Sequence, residues 1–300
     1  MRERALRWLL REGLTRPWLF GTALKLGRLI SWALPPDLRA KVGVTRPAGP
    51  LPTAQRHRKV LLLNNCVQPA MAPSIDAATA RVLDTIGVQS IIAPESGCCG
   101  AIRQHLDDHD GARNNIRRNI DAWWPLVETR QVEAIVINAS GCGAMVKDYA
   151  HLLRGDRRYA ERAHRISALA RDVSEVVAAE SERLAVLAAP DAKPPVVAFH
   201  SPCTLQHGLR LNGVVESILR DAGFTLTAVP DPHLCCGSAG TYSLLQPEIS
   251  RRLRDDKVRA LESGAPEVVA TANIGCLAQL ESGAAVPVVH WIELLDRRLA

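Results

Sequence analysis

Apolar runs and helical patterns alternate along the chain, and the same series occurs twice. The run KVLLLNNC in the first half and the run PVVAFHSPC in the second half each end on a cysteine. Short continuous apolar runs of this kind are typical of buried strands. The helical patterns SIDAATARVLDTIG and NGVVESILRDAG follow and end on Gly87 and Gly223, where a helix C-terminal glycine belongs. Each half therefore begins with a predicted strand and a predicted helix.

A second and a third strand follow in each half. The stretches VQSIIAPESGCCG and FTLTAVPDPHLCCG predict a strand that runs into a double cysteine. Helical segments come next, roughly over 111–127 and 247–262, and VEAIVINASGCG and EVVATANIGC then predict a third strand that ends near a cysteine. Because strands alternate with helices, we predict an α/β fold of two tandem, similar domains with parallel sheets, preceded by N-terminal helices.

The same pattern divides the chain into five segments. We predict N-terminal helices, a proline-containing linker, a first cysteine-rich domain, a charged helical connector and a second cysteine-rich domain. The corresponding ranges are 1–45, 46–57, 58–150, 151–193 and 194–300.

The N-terminal segment and the overall charge argue against a membrane-spanning protein, an exported protein and a nucleic-acid-binding protein. The most apolar N-terminal window, 18–34, contains Lys25 and Arg28, so it is a poor membrane span and a poor signal-peptide core. We predict amphipathic helices that pack on the body of the protein or on a partner, with peripheral contact with the inner face of the cell membrane as the alternative. The net charge is +6, without basic runs interleaved with aromatic residues, so no nucleic-acid partner is expected.

The eight cysteines repeat one spacing. A single cysteine precedes a double cysteine by 32 positions in both halves, and another single cysteine follows 43 positions later in the first half and 40 in the second. This order is an internal duplication, and it places the cysteines near the carboxyl ends of three strands, where open α/β sheets form their sites. Since no export signal is found, a reducing, cytoplasmic compartment is expected, in which cysteines favour metal or redox chemistry over disulfides. The two candidate ligand sets are Cys66, Cys98, Cys99 and Cys142, and Cys203, Cys235, Cys236 and Cys276.

Three interpretations of these cysteines are open from the residues alone. Small buried core residues are one, although the duplicated placement argues against it. A structural zinc site typically shows C-x-x-C pairs, whereas Met145 and Gln279 stand three positions after the last cysteine of each set. A multi-iron cluster offers different iron atoms to adjacent cysteines, and soft thiolates in sets of four are the usual ligands of iron–sulphur clusters.

Four nearby histidines are interpreted as structural, with iron ligation as the alternative; they are His200, His207, His233 and His290.

Several motifs resemble a known family. The duplicated cysteine pattern is similar to the CCG domain pair of heterodisulfide reductase-type iron–sulphur proteins, and the whole chain is more similar still to the iron–sulphur subunits of bacterial glycolate oxidases (glycolate dehydrogenases). The resemblance implies an electron-transfer subunit that holds iron–sulphur clusters, of the [4Fe–4S] type, on the eight cysteines. It also implies FAD-binding partner subunits that oxidise glycolate to glyoxylate, and no catalytic residue in this chain. The stretches that carry the resemblance are RNIDAWWP, ASGCGAMVKDY, CTLQH, HLCCGSAGTYSLL, TANIGC and VVHWIE.

The chain departs from the patterns of the proteins that it resembles in two ways. Such subunits normally begin with a ferredoxin-like module that carries two C-x2-C-x2-C-x3-C-P runs, and these 300 residues contain none; a shortened form, an internal start and a separate ferredoxin-like partner are the alternatives. In heterodisulfide reductases each motif ends in C-x-x-C and five cysteines hold a non-cubane cluster. With Met145 and Gln279 in place of the fifth cysteine, four ligands remain in each set. The rival functions are a heterodisulfide reductase-like thiol or cluster protein and a cluster-free scaffold that docks the flavoprotein.

Overall fold

A computed structural model describes residues 2–34, 39, 42–43, 46–187 and 193–300 of the chain. Its N-terminus consists of α1 (Arg2–Leu14), α2 (Pro17–Leu29) and a 3₁₀ turn at Ser31–Ala33. Part of the predicted N-terminal helical segment and the end of the predicted connector lie outside the described residues. Across the described ranges, every helix is too short or too polar to cross a membrane.

The first domain is built on a four-stranded parallel sheet of order β2-β1-β3-β4. Its last strand, β4, lies inside the segment predicted as a helical connector, so that segment contributes to the first sheet as well as its helices. The strands are β1 (Arg58–Leu62), β2 (Val88–Ile91), β3 (Ala134–Ile137) and β4 (Ala170–Asp172). The helices are α3 (Gln68–Met71), α4 (Pro73–Thr85), α5 (Ala101–His105), α6 (His109–Glu128), α7 (Ser140–Lys147), α8 (Tyr149–Leu152), α9 (Ala160–Leu169), α10 (Val173–Ala178) and α11 (Ser181–Leu187).

The second domain is built on a smaller parallel sheet of order β5-β6-β7. Its strands are β5 (Val197–His200), β6 (Val268–Thr271) and β7 (Val288–His290). A π-helical turn at Thr204–Gly208 follows β5. The remaining helices are α12 (Val214–Asp221), α13 (Tyr242–Leu245), α14 (Pro247–Glu262), α15 (Ile274–Glu281) and α16 (Trp291–Leu299). The prediction of two parallel-sheet α/β domains preceded by N-terminal helices is confirmed.

One predicted strand is wrong. The stretch FTLTAVPDP makes only a single parallel bridge, between Leu226 and Val197, and two backbone hydrogen bonds of 2.9 Å tie Thr225 and Thr227 to the same strand residue. Two prolines in this stretch provide no N–H for a ladder, and the chain turns away after the bridge. The double cysteine of the second domain is therefore presented by a loop rather than by the end of a full strand.

The faces of the first sheet pack into two different cores. Along β1, Val60 and Leu62 point into a core that is shared with the second domain, whereas Leu61 points into a core formed with α6. This alternation follows the two-residue period of a strand. Helices α4 and α16 pack against each other between the sheets, and Arg81 of α4 pairs with both carboxylate oxygens of Asp296 at 2.6–3.1 Å. The shared core fixes the position of one domain relative to the other.

Asp172, at the end of β4, predicts a pH dependence of stability. Its buried carboxylate caps α10 by accepting hydrogen bonds from the Ser174 N–H and hydroxyl at 2.9 and 2.7 Å, and desolvation raises its pKa from 3.8 to about 6. The folded protein then binds more protons than the unfolded chain between these values, so the contribution of Asp172 to stability falls as the pH rises through them. We expect the stability of Asp172→Asn relative to wild type to rise by roughly 3 kcal/mol between pH 3 and pH 7.

Urea denaturation of both proteins across this pH range measures the difference. Since the other titrating groups are common to both proteins, their effects cancel in the comparison. A difference that stays constant with pH would contradict the raised pKa.

Candidate metal centres

The first cysteine set lies at the carboxyl edge of the first sheet. Cys66 follows β1, the adjacent pair Cys98 and Cys99 follows β2, and Cys142 is the third residue of α7, directly after β3. Hydrogen-bond contacts link their thiols in the order Cys66, Cys98, Cys99 and Cys142. The first three are buried, Cys142 is half-buried, and all are free thiols. The structure thus brings together the four residues of the first predicted set.

The second set repeats this arrangement. Cys203 precedes the π-helical turn after β5, Cys235 and Cys236 lie in the loop described above, and Cys276 is the third residue of α15 after β6. Contacts link the thiols in the same order. Cys203 and Cys235 are half-buried and the other two are buried. The second set is therefore assembled in the same way but is more open to solvent.

The electrostatics of the thiols repeat as well. Hydrogen bonds from Cys66 and Cys99 lower the pKa of Cys98 well below its ordinary value. Hydrogen bonds from Cys203 and Cys236 lower the pKa of Cys235 in the same way. A thiolate is the form of cysteine that binds metal, so each set holds one cysteine of the adjacent pair ready for ligation.

A glycine follows each double cysteine because a helix backbone lies against it. Gly100 and Gly237 have φ values of +97° and +80°. A Cβ at Gly100 would lie 3.2 Å from the Ala112 carbonyl oxygen of α6, and a Cβ at Gly237 would overlap the Ser250 carbonyl of α14. Only glycine combines this left-handed conformation with such a close approach.

Replacement of Gly237 by alanine is expected to destabilise the protein by about 3 kcal/mol or more, because left-handed strain and the overlap with Ser250 add. Gly240→Ala is the matched control: its φ is +61° but no atom lies within 4 Å of an added Cβ, so only strain of about 1–2 kcal/mol is expected. Chemical denaturation of both variants measures the difference. Equal losses of stability would show that the contact with α14 is unimportant.

Buried side chains hold the double-cysteine loop of the first domain. Asn119 of α6 accepts a hydrogen bond from the Gly97 N–H at 2.8 Å and donates to the Gly97 and Cys98 carbonyls at 3.3 and 3.1 Å. Tyr149 donates its hydroxyl to the Cys99 carbonyl at 2.8 Å. Asn119 also donates to the Tyr149 oxygen at 3.1 Å. These contacts fix the backbone that presents both thiols.

The second domain holds its loop with different residues. Ser250 donates to the Gly237 carbonyl at 2.8 Å, and the Gln279 amide donates to the Ser250 hydroxyl at 2.8 Å. The ammonium of buried Lys257 donates to the Asp231 and Pro232 carbonyls at 3.0 and 3.2 Å. Helices α6 and α14 occupy corresponding positions in the two domains. Ala112 of α6 lies against Gly100, and Ser250 of α14 lies against Gly237. Seven residues further along each helix stand Asn119 and Lys257. The sequence prediction did not include any of these supporting residues.

The positions where a fifth cysteine would stand are filled by other side chains. Met145 is buried in the core of the first domain and lies beside Gly100. Gln279 is buried and bonded to Ser250. Each set therefore offers four thiols, as the sequence indicates.

Polar residues that neighbour the two cysteine sets in sequence form hydrogen bonds with each other. The Ser140 and Thr204 hydroxyls form a hydrogen bond of 2.7 Å, and the Asn273 amide donates to the Ser140 hydroxyl at 3.2 Å. Ser140 lies two residues before Cys142, and Thr204 directly follows Cys203. The two cysteine sets thus face one interface between the domains.

His200 shows that the second set is suited to a further bound group. It is 1% exposed at the end of β5, and neither ring nitrogen has a hydrogen-bond partner of good geometry among the described residues. Its imidazole and the sulphurs of Cys236 and Cys276 lie within 4.8 Å of one another. A buried polar group without a partner costs about 1–3 kcal/mol, which a bound group offsets. Four soft thiols in contact and an orphaned imidazole fit an iron–sulphur group.

The other three histidines have different environments. His290 is buried and accepts a hydrogen bond from the Ile292 N–H at 3.3 Å, as the N-cap of α16. His207 and His233 are exposed. The structural interpretation thus suits His290, but it leaves both nitrogens of His200 unexplained.

Comparisons with known proteins agree with this site. The family described as cysteine-rich domain, CCG, matches residues 60–147 and 197–281. The glycolate oxidase iron–sulphur subunit of Escherichia coli (strain K12) is 48% identical over 299 residues, which are 99% of this chain and 72% of that protein. The probable glycolate oxidase iron–sulphur subunit of Bacillus subtilis (strain 168) is 30% identical over 75% of this chain, which spans half of that relative. Lactate utilization protein A of Bacillus licheniformis is 27% identical over 80% of this chain and over its own full length. The chain therefore belongs to the family of cysteine-rich CCG-domain proteins that includes the iron–sulphur subunit of glycolate oxidase.

Proposed function

We propose that the chain is the iron–sulphur electron-transfer subunit of a dehydrogenase complex in which an FAD-binding partner oxidises glycolate to glyoxylate. The observation that carries the proposal is the presence of two sets of four contacting thiols at equivalent strand ends. An iron–sulphur group supplies one-electron redox chemistry when bound, which suits a subunit that passes on the two electrons of a flavin singly.

The residues of this chain have three tasks in the proposal. The two cysteine sets hold one [4Fe–4S] cluster each, with four thiolates per cluster. The strands and loops around the two sets bury most of these thiols and shield them from water. The contact between Ser140 and Thr204 holds the two sets at one interface, so that an electron can move between them within the chain. We assign no acid or base catalysis to this chain, since the reaction on glycolate belongs to the flavin subunit.

The proposed substrate rests on the relatives. The relative of 48% identity is named for glycolate oxidase, whereas the relative of 27% identity is named for lactate utilization. Glycolate is therefore the proposed substrate of the complex, and lactate, a related 2-hydroxy acid, is the rival.

The proposed partners are FAD-binding subunits and a ferredoxin-like iron–sulphur module. Large apolar side chains of the N-terminal helices and of the turn after them are exposed, which suits a protein contact. We assign this surface to partner subunits, with a membrane surface as the rival. Its most exposed members are Leu9, Trp18, Leu29 and Trp32.

Iron and acid-labile sulphide per chain after anaerobic purification, with EPR of the reduced protein, test the proposal. About eight irons with a signal of the [4Fe–4S] type are expected. A folded protein with eight titratable thiols and no iron would overturn the proposal in favour of the cluster-free scaffold. A non-cubane signal would favour the heterodisulfide reductase-like function.

A further inference from the structure

We propose that the second cysteine set holds its cluster at a higher reduction potential than the first set, so that electrons pass from the first domain to the second. This inference rests on the proposed iron–sulphur function. It follows from two residues that differ between the domains, His200 and Lys257, which face the second set where the first domain has Leu63 and Asn119.

The first difference is at the end of the first strand of each domain. His200 and Leu63 both lie three positions before the leading cysteine of their set, and each is 1% exposed. In the first domain this position is apolar. In the second domain it provides an imidazole within 4.8 Å of the Cys236 and Cys276 sulphurs, and this imidazole is a hydrogen-bond partner of Cys276. Nitrogen donors and hydrogen bonds to sulphur raise the potential of an iron–sulphur centre.

The second difference is on the helix behind the double-cysteine loop. Asn119 of α6 is neutral, whereas Lys257 at the corresponding position of α14 is a buried amine that is 1% exposed. Both residues donate to loop carbonyls. Burial lowers the pKa of Lys257, and the negative charges of Cys203 and Cys236 act in the opposite direction and favour its ammonium form. A positive charge in a medium of low dielectric constant acts strongly on a nearby centre.

The first set has polar neighbours too, but their effect on its reduction potential is weaker. The Asn115 side chain is a hydrogen-bond partner of Cys98, and the guanidinium of Arg118 lies beside Gly97. Asn115 is neutral, and Arg118 is exposed, so solvent and salt screen its charge. Cys203 and Cys235 are also more exposed to solvent than Cys66 and Cys98 of the first set. Solvent stabilises the more negative, reduced state of a cluster, so this exposure raises the reduction potential of the second centre as well.

The charge balance sets the direction of transfer. Reduction adds one negative charge to a centre, and His200 and Lys257 stabilise that added charge only in the second domain. With a cluster on each set, one electron would leave the first, which would be oxidised by one electron, and enter the second, which would be reduced by one electron. The flavoprotein of the proposed function supplies the electrons.

Potentiometric titration of the full chain, followed by EPR, tests the inference. Wild type should show two reduction steps, and Cys236→Ser should lack the step at higher potential. His200→Leu places the residue of the first domain in the second and should shift only the higher step to lower potential. Lys257→Asn should do the same. His207→Leu, which changes an exposed histidine of the same segment, should leave both potentials unchanged.

Three results would overturn the inference while iron is bound: coincident steps in wild type, loss of the lower step in Cys236→Ser, or an unchanged higher step in His200→Leu. The His200→Leu and His207→Leu pair keeps the test decisive if Lys257→Asn fails to fold. Wild type without iron would instead overturn the proposed function itself, together with this inference.

Discussion

The Cys99→Ser variant is expected to retain about half of the iron and acid-labile sulphide of wild type, and Cys236→Ser the other half. Each serine removes one of four thiols from one set, and a hydroxyl is a much poorer ligand for iron than a soft thiolate. Cys99 and Cys236 both lie in the middle of their chain of contacting thiols. Neither residue at the position of a fifth cysteine can replace the lost thiol, because Met145 is packed in the core and Gln279 is bonded to Ser250.

The two variants are expected to lose different EPR signals, because the two sets are separate. Met145→Leu is the matched control, since it changes the position of a missing fifth cysteine with little change in volume. It should keep all of the iron. Circular dichroism verifies that each variant is folded. If either cysteine variant lost all iron while it stayed folded, the two sets would not bind independently, and the assignment of four ligands to each cluster would fail.

The repeated spacing of the cysteines predicts most of the architecture. A cysteine that follows an apolar run marks the carboxyl end of a strand, so the positions of β1, β3, β5 and β6 follow from the sequence. The short strands β4 and β7 have three residues each, and three residues cannot display a two-residue period. The predicted strand before Cys235 failed for the opposite reason: its apolar residues suit a strand, but two prolines end the ladder after one bridge.

The thiols of the site could be predicted, but their supports could not. Cysteines are rare and chemically distinct, whereas polar residues on helices are usually exposed. Asn119 nevertheless has a signal in the sequence. It lies at the helical spacing of Ile116, Ile120 and Trp123, all of which are fully buried, so it occupies a core position of α6. Lys257 lies in the same way beside Val258 and Leu261. A polar residue in the apolar phase of a helix indicates a buried partner.

Because Asn119 is such a residue, Asn119→Leu is expected to lower the free energy of unfolding by about 4 kcal/mol. The leucine would leave the Gly97 N–H and the Gly97 and Cys98 carbonyls without their side-chain partner, at about 1–3 kcal/mol for each buried group. Tyr149 would keep its bond to the Cys99 carbonyl but lose its contact with the amide. Urea denaturation measures the loss. Asn114→Leu, an exposed change on the same helix whose side chain contacts only Arg117 in the described structure, should cost less than about 0.5 kcal/mol.

The iron content of Asn119→Leu separates a role in stability from a role at the site. Asn119 holds the backbone of Gly97 and Cys98 but contacts no residue of the second set. Under conditions where the variant is still folded, we therefore expect iron to be lost from the first set alone, with the EPR signal of the second centre retained. Full iron in both sets together with the expected loss of stability would mean that four thiolates order the loop once a cluster is bound. In that case Asn119 would prepare the loop for binding and would not be needed to keep the bound cluster in place.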